Sequence, residues 1–580
     1  MKHYNKTYTR FEATEWPLPN VWDAVGLLLV LSVIVALVWG AHAMSGQYHL
    51  GQTLPISLSP WMLPYYALRS VFRMLIAMLV SLLCTFTFGT WAAKRRHAER
   101  IIIPTIDILQ SVPVLGFLSI TVVGFLVLFQ GSLMGPECAA IFAILVAQVW
   151  NMILSFYQSL KTVPKALCEA AQMFQLSAWQ RFWRIEVPFA MPGLLWNAML
   201  SMSASWVFLV ASEAITVAHQ TITLPGIGSY IAVAIGQRNV SAIVAVIVAM
   251  CVVIALYDQL IFRPLVAWSE KFKIEETADP QPASSWLLNL FQRARFSQQL
   301  AAVIGYACDL LVNVRYLRRR HVVRASRAVL RWDRVLTVVW YGVLVVALAV
   351  GAVMLWRFIA TTVSWSDLAH VFRLGCYTAI RVMTLIVLSA LIWVPLGVRI
   401  GLSPMASKIV QPVAQFLAAF PVNLLFPIAV MAILHFHLNP NIWLSPLMIL
   451  GTQWYILFNV VAGTMALPNN LHQAVGTLNV RGWLWWRRFI LPGIFPYLIT
   501  GAITAAGGAW NISILSEAVQ WGQTILYADG LGAFITRASN HGAFPRLALG
   551  IVVMSLFVLV INRTVWKPLY QLAERRFQIR

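Results

Sequence analysis

Two pairs of ionisable residues recur inside otherwise apolar stretches of this 580-residue chain: Glu213 with Glu517, and Arg73 with Arg381. A charge inside hydrocarbon is costly, so such residues point either to a transport pathway or to an internal ion pair. Glu213 and Glu517 close two matching apolar runs, each following a tryptophan, Trp206 and Trp510. As a symmetric set these four could line the outer gate of a pathway. The glutamates could equally be helix-end carboxylates at the membrane interface. Arg73 and Arg381 could attract an anion, snorkel to the headgroups or pair with a carboxylate. Pro113 and Pro421 fall in a third run, where irregular backbone is tolerated beside a cavity. Asp107, aligned with Gln415, reads as interfacial.

Other chemistry is missing from the pattern. His435 and His437 are two apart and do not share a helix face, and the 6 Cys form no CxxC pair, so no metal site is expected. No G-x-x-x-x-G-K-[ST] occurs, so no P-loop and no cofactor is expected in this chain. No catalytic residue stands out.

The elements that must hold these residues are membrane spans. The chain is 60% hydrophobic and 11% charged, against roughly 25% charged in soluble domains. That excludes a soluble enzyme, a disordered chain and a secreted disulfide scaffold. A span needs about 20 apolar residues. Candidates fall at 24–44, 67–91, 106–130, 138–157, 190–212, 241–262, 335–356, 374–398, 412–435, 444–463, 496–518 and 546–563, about twelve helices. The run preceding Ala41-His42-Ala43 is read as an uncleaved first helix.

The net charge of +22 recurs in every second loop instead of filling one soluble block, which excludes nucleic acid as the partner. The opposite face, or span ends near it, holds only Arg69, Arg73, Arg238, Arg357, Arg373, Arg381, Arg537 and Arg546. By the positive-inside rule both termini are cytoplasmic.

The chain also repeats itself. An offset of 304 lays Pro164 on Pro468, Trp179 on Trp483, Arg184 on Arg488, Ser212-Glu213-Ala214 on Ser516-Glu517-Ala518, and Gly226 and Gly228 on Gly530 and Gly532. Upstream an offset of 308 pairs Arg73 with Arg381, Gly89 with Gly397 and Pro113 with Pro421. The expected organisation is a first half at 1–272, a basic cytoplasmic or interfacial linker at 273–334 and a second half at 335–580. The halves are parallel repeats, a transporter arrangement. Within the linker, Leu300–Val314 reads as an interfacial amphipathic helix followed by the basic Arg318-Arg319-Arg320 cluster.

The segment between the fourth and fifth spans keeps its length and its prolines in both copies, at 163–193 and 467–497. A proline starts a short amphipathic helix and a later proline pair is expected to end one. Here the chain resembles the permease subunits of binding-protein-dependent ABC importers, whose loop reads EAA, three residues, Gly, nine residues, then I-x-L-P. The first copy matches at Glu169, Ala170, Ala171, Ile185 and Pro188, with Gln175 at the Gly position and Val187 for Leu. The second matches at Ala474, Leu491 and Pro492, with Gln473, Val475, Asn479 and Phe489 as departures. The Arg73/Gly89 spacing and the Gly-x-Gly at 226–228 and 530–532 resemble the nitrate, sulfonate and taurine branch.

The resemblance implies an all-α polytopic membrane protein of about 12 transmembrane helices in two parallel six-helix repeats, the fold of type I ABC importer permeases. It implies no enzyme activity in the chain. A separate cytoplasmic ABC ATPase dimer would bind ATP and Mg and hold the two loops, and an extracytoplasmic solute-binding protein would deliver a small solute such as nitrate or a sulfonate. The alternative, a 12-helix secondary transporter, would keep its coupling charges inside the helices and would not need matched loops.

Overall fold

The computed structural model describes residues 54–110, 112–217, 220–272, 285–313, 327–360 and 363–577, with scattered positions before 45. The first expected span, 24–44, lies largely outside this set, as do Arg318-Arg319-Arg320 and Arg324.

Among the described residues, seven helices along the expected runs are long and apolar enough to span a membrane, and three bent pairs bring the number to ten where each is one span. In the first half they are α1 (Pro60–Lys94), the broken pair α2 (Arg96–Leu109) and α3 (Val114–Leu128), α4 (Met134–Lys161), then, after the short helix α5 (Lys165–Met173), α6 (Ala178–Glu213). A hairpin of β1 (Ala214–Val217) and β2 (Gln220–Thr223) follows, then α7 (Ile227–Gly236) and the last span α8 (Val240–Phe272). The linker holds α9 (Trp286–Arg293) and α10 (Arg295–Val312), and the 335–356 stretch lies in α11 (Arg327–Ala360).

The second half repeats the order: α12 (Trp365–Leu402), α13 (Pro404–Ala419) broken by 76° from α14 (Val422–His435), and α15 (Pro440–Leu450) bent by 44° from α16 (Gln453–Met465). Next come α17 (Asn469–Thr477), α18 (Gly482–Ser516), the hairpin of β3 (Ala518–Trp521) and β4 (Thr524–Tyr527), α19 (Leu531–Asn540) and α20 (Phe544–Ala573).

The all-α expectation needs one refinement. Each fifth span runs into a two-stranded antiparallel hairpin, with Ala214 opposite Thr223 in one copy and Ala518 opposite Tyr527 in the other.

The spans carry the burial signature of helices in lipid. On α8, Val240, Val244, Val248, Val252 and Leu256 form an exposed stripe at i, i+4 spacing, while Ile243, Val246, Met250 and Ile254 are buried. An apolar face without protein cover is what hydrocarbon solvates.

The proline pair closing each loop does not end a helix. Pro192 and Pro496 lie inside α6 and α18. Five-residue π turns, Phe182–Glu186 and Trp486–Ile490, precede Pro188 and Pro492, and the same pattern precedes Pro264 and Pro568 at Asp258–Phe262 and Asn562–Trp566. A proline lacks the N–H that would bond four residues back, and a π turn absorbs that missing bond without breaking the rod. Pro113 and Pro421 do break their spans, each standing as the extended residue at the break before α3 and before the turn that opens α14.

By compactness the chain falls into two units. One gathers the described residues of Val163–Pro192 and Asp258–His321, the other those of His42–Thr162, Gly193–Tyr257 and Val322–Arg580. The larger unit has a core drawn from both repeats, including Val122, Ala143, Val460, Ala505 and Leu531.

Candidate functional site

Glu213, at the end of α6, is fully buried and ends in a four-charge knot. Arg73 on α1 reaches it with Nη1 at 2.6 Å and meets Glu137 on α4 with Nε at 2.5 Å and Nη2 at 2.7 Å. Arg69, one turn before Arg73, donates to Glu137 at 2.7 Å. Two arginines thus balance two carboxylates, all at most 5% exposed. Buried charge is tolerated only when paired and hydrogen-bonded in this way.

The backbone closes the knot. Gly228 N donates to the Glu213 carboxylate at 2.6 Å, the Ser70 hydroxyl donates to it at 2.5 Å, and Ser70 Oγ accepts from Ile227 N at 3.1 Å. A side chain at Gly228 would strike the Val210 carbonyl, and one at Gly226 would strike the Glu213 carboxylate. That close approach is the physical reason for the Gly-x-Gly.

The second repeat builds the same ring with fewer charges. Glu517 accepts from Arg381 at 3.1 Å, Thr378 at 2.8 Å and Gly532 N at 2.7 Å, and Thr378 Oγ1 accepts from Leu531 N at 3.0 Å. Asn441 stands where the offset places Glu137, and Tyr377 where it places Arg69. Asn441 Oδ1 accepts from Arg381 at 3.2 Å and from Asp529 N at 2.7 Å.

A cavity of about 290 Å³ lies within the larger unit and is walled by both repeats: α3, α4 and α6 from the first, α16, α18 and α20 from the second. Its polar lining is Gln110, Asn151, Thr452, Thr504, Asn511 and Asn562, with Trp150, Trp510, Tyr455 and Trp566 as aromatic wall. Among the described residues, none that lines it is Asp, Glu, Lys, Arg or His. Trp150 Nε1 and Thr452 Oγ1 are buried in this wall without a hydrogen-bond partner. Beside it the repeats are tied twice: Val114 N donates to Asn511 Oδ1 at 2.8 Å, and Asn423 Nδ2 donates to the Val207 carbonyl at 3.4 Å.

The sequence-derived pathway residues therefore separate. Trp510 lines the cavity, and Pro113 and Pro421 adjoin its lining residues Val114 and Phe420. Trp206 packs edge-on against Tyr257 at 5.8 Å and does not line it. Glu213 and Glu517 are locked in the knots, away from the cavity wall, because their carboxylates are consumed by arginine and backbone donors. Glu137 and the cavity residues Trp150, Asn151 and Thr452 are new to the site.

The two loops share one geometry. Helix α5 starts after Pro164 and α17 after Pro468. Each ends through a left-handed residue, Gln175 at φ 54° and Asn479 at φ 51°. Leu176 N bonds the Ala171 carbonyl at 3.0 Å and Val480 N bonds that of Val475 at 3.2 Å, the helix-ending pattern that glycine usually serves. Met173 and Phe174 are 84% and 80% exposed, and Leu478 is 74% exposed. Glu169, Ala170, Gln473 and Ala474 lie on the short helices before these tips, with Ala171 buried. Ile185 falls in the π turn and Pro188, Leu491 and Pro492 in the span starts.

Residues 85–263 and 393–577, together more than half the chain, match the family described as binding-protein-dependent transport system inner membrane component. The chain belongs to this family. It is an ABC importer permease of duplicated, multi-pass form.

Among similar proteins, the nitrate import permease protein of Leptolyngbya laminosa is 25% identical over 185 residues, 32% of this chain and 63% of that protein. The bicarbonate transport system permease protein of Synechococcus elongatus is 25% identical over 178 residues, 31% of this chain and 61% of that protein. The glycine betaine/carnitine transport permease protein of Listeria monocytogenes is 26% identical over 191 residues, 32% and 61%. The chain spans about three fifths of the length of these relatives.

Proposed function

We propose that this permease carries a small solute through the cavity between its repeats and takes its drive from a separate cytoplasmic ATPase dimer through the two EAA-type loops. One observation carries the coupling half of this reading. Two loops of different sequence end in the same left-handed turn and hold apolar side chains, Phe174 and Leu478, in the open. A small helix with an exposed apolar tip fits a groove on another protein. Partners of stated chemistry follow: an ATPase presenting two such grooves, and an extracytoplasmic binding protein that hands over the cargo. The membrane is the bacterial inner membrane, with the basic loops and both termini cytoplasmic.

The solute we propose is a small anion of the nitrate, sulfonate or bicarbonate kind. The cavity supports it by chemistry: among the described residues its wall has no carboxylate to repel an anion and no fixed cation to trap one. Amide, hydroxyl and indole donors can grade an anion's passage without holding it. The names of the relatives that transport nitrate and bicarbonate support the same class.

The test is uptake of labelled nitrate, bicarbonate and ethanesulfonate by cells carrying the native partners, with and without Phe174→Ser combined with Leu478→Ser. The expected result is ATP-dependent uptake of at least one anion, reduced at least tenfold in the double variant, with loss of ATPase co-purification. Uptake driven by an ion gradient without ATP would overturn the reading.

A further inference from the structure

The two loops differ in one respect that their shared turn conceals: the first is held by the linker. At the start of α6, Trp179 Nε1 donates to the carbonyl of Leu311 at 3.2 Å, and Gln180 Nε2 donates to Asn313 Oδ1 at 3.0 Å. Arg184 Nη2 lies 3.4 Å from Asn313 Oδ1 and 3.7 Å from Asp309 Oδ1. Leu311, Asn313 and Asp309 form the C-terminal end of α10. The last carbonyls of a helix lack partners within it, and that end attracts cations. An indole N–H, an amide and a guanidinium meet it, so the junction is complementary in hydrogen bonding and in charge.

Gln180 ties this junction to the span. Its Oε1 accepts from Ser177 N at 3.1 Å while Ser177 Oγ accepts from Gln180 N at 3.2 Å, a closed capping box at the start of α6. One amide therefore caps the helix with its oxygen and grips the linker with its nitrogen.

Among the described residues the second loop makes no such contacts. The offset places Trp483 and Leu484 where Trp179 and Gln180 stand, and they are 72% and 53% exposed, against 6% for Gln180. Arg481 replaces Ser177 and provides no side-chain cap.

We propose that α10 is an intramolecular brace on the first coupling loop, with Trp179, Gln180 and Arg184 as positioning residues, so that one chain presents its ATPase with one held loop and one free loop. The coupling role rests on the loop function proposed above. The brace itself does not.

Two measurements on the full chain in lipid nanodiscs and in cells test it. By hydrogen–deuterium exchange, amides of 178–186 should exchange several-fold more slowly than those of 482–490, and Trp179→Phe with Asn313→Ala should bring the two segments together. Equal rates in the native chain, or no change in the variant, overturn the brace. Gln180→Cys with Asn313→Cys, in a background with the six native cysteines replaced, is then bridged by a short bis-methanethiosulfonate, which forms two disulfides and releases methanesulfinate. Bridging should slow ATP-dependent uptake of labelled nitrate, bicarbonate or ethanesulfonate at least threefold, with recovery on reduction. Unchanged uptake overturns a role in transport even if the exchange result stands. Phe174→Ser separates the two readings: if it leaves uptake intact, the coupling function of the loop fails, whatever the linker does.

Discussion

The knots at the ends of α6 and α18 are one device built to two strengths. Around Glu213 stand two arginines and a second carboxylate, all buried. Around Glu517 stands one arginine, 14% exposed, with an asparagine in place of the second carboxylate. What both keep is the ring of glutamate, hydroxyl and backbone N–H that ties the turn after each hairpin to the first core span. What differs is the added Arg69–Glu137 pair. The shared ring fixes the fold in each half, and the extra pair makes the first half depend on complete charge pairing.

The sharpest way to break this comparison is to remove each arginine. Arg73→Met leaves Glu137 and Glu213 buried with one arginine between them, a loss of about 3–5 kcal/mol expected for an unpartnered buried charge. Arg381→Met leaves Glu517 the Thr378 hydroxyl and the backbone N–H donors of Gly532 and Ala533, and the loss should be nearer about 1–3 kcal/mol. Thermal unfolding of the two variants in one detergent reads the difference. A drop for Arg381→Met as large as that for Arg73→Met would show that the extra pair adds nothing.

A smaller effect sharpens the same point by converting one knot into the other. Asn441→Glu alone puts a carboxylate beside Asp529, which Asn441 Nδ2 now contacts at 3.1 Å, and should destabilise. Adding Tyr377→Arg restores the balance of the first knot. The double-mutant cycle should give a favourable coupling of about 0.5–3 kcal/mol, and a coupling of zero would mean that position, not charge, separates the halves.

The repeat made much of this legible. The spans are legible as apolar runs of membrane length, and both loops and the pairing of Glu213 with Glu517 follow from the offset of 304, because the same physics must be satisfied twice. Glu137 escaped for the converse reason: its counterpart is Asn441, so self-comparison cancels it, and it sits just ahead of the apolar run beginning at 138. The cavity escaped because Asn151, Thr452 and Gly508 are ordinary residues from distant segments that only packing brings together. The hairpins were too short, at four residues a strand, for a period-2 signal. The loop prolines look like breakers in sequence because it gives the lost hydrogen bond but not the π turn that absorbs it.

The mildest test returns to the loops, where the copies agree in shape but not in residue. Gln175 and Asn479 both hold the left-handed conformation that glycine occupies without strain. For most side chains that conformation costs about 1–2 kcal/mol, and asparagine tolerates it best. Glycine relieves the strain but adds chain entropy to the unfolded state, worth about 0.4–1 kcal/mol. The balance differs between the copies. Gln175→Gly should stabilise its turn by up to about 1 kcal/mol, while Asn479→Gly should change little or lose a few tenths. Both side chains are exposed, so neither substitution removes packing. Hydrogen exchange at Leu176 and Val480, whose amides close the two turns, reads each effect locally. Slower exchange at Leu176 with no change at Val480 would place the difference in backbone strain. Equal responses would mean that glutamine and asparagine fill the turn alike, and that the loops differ only through the linker.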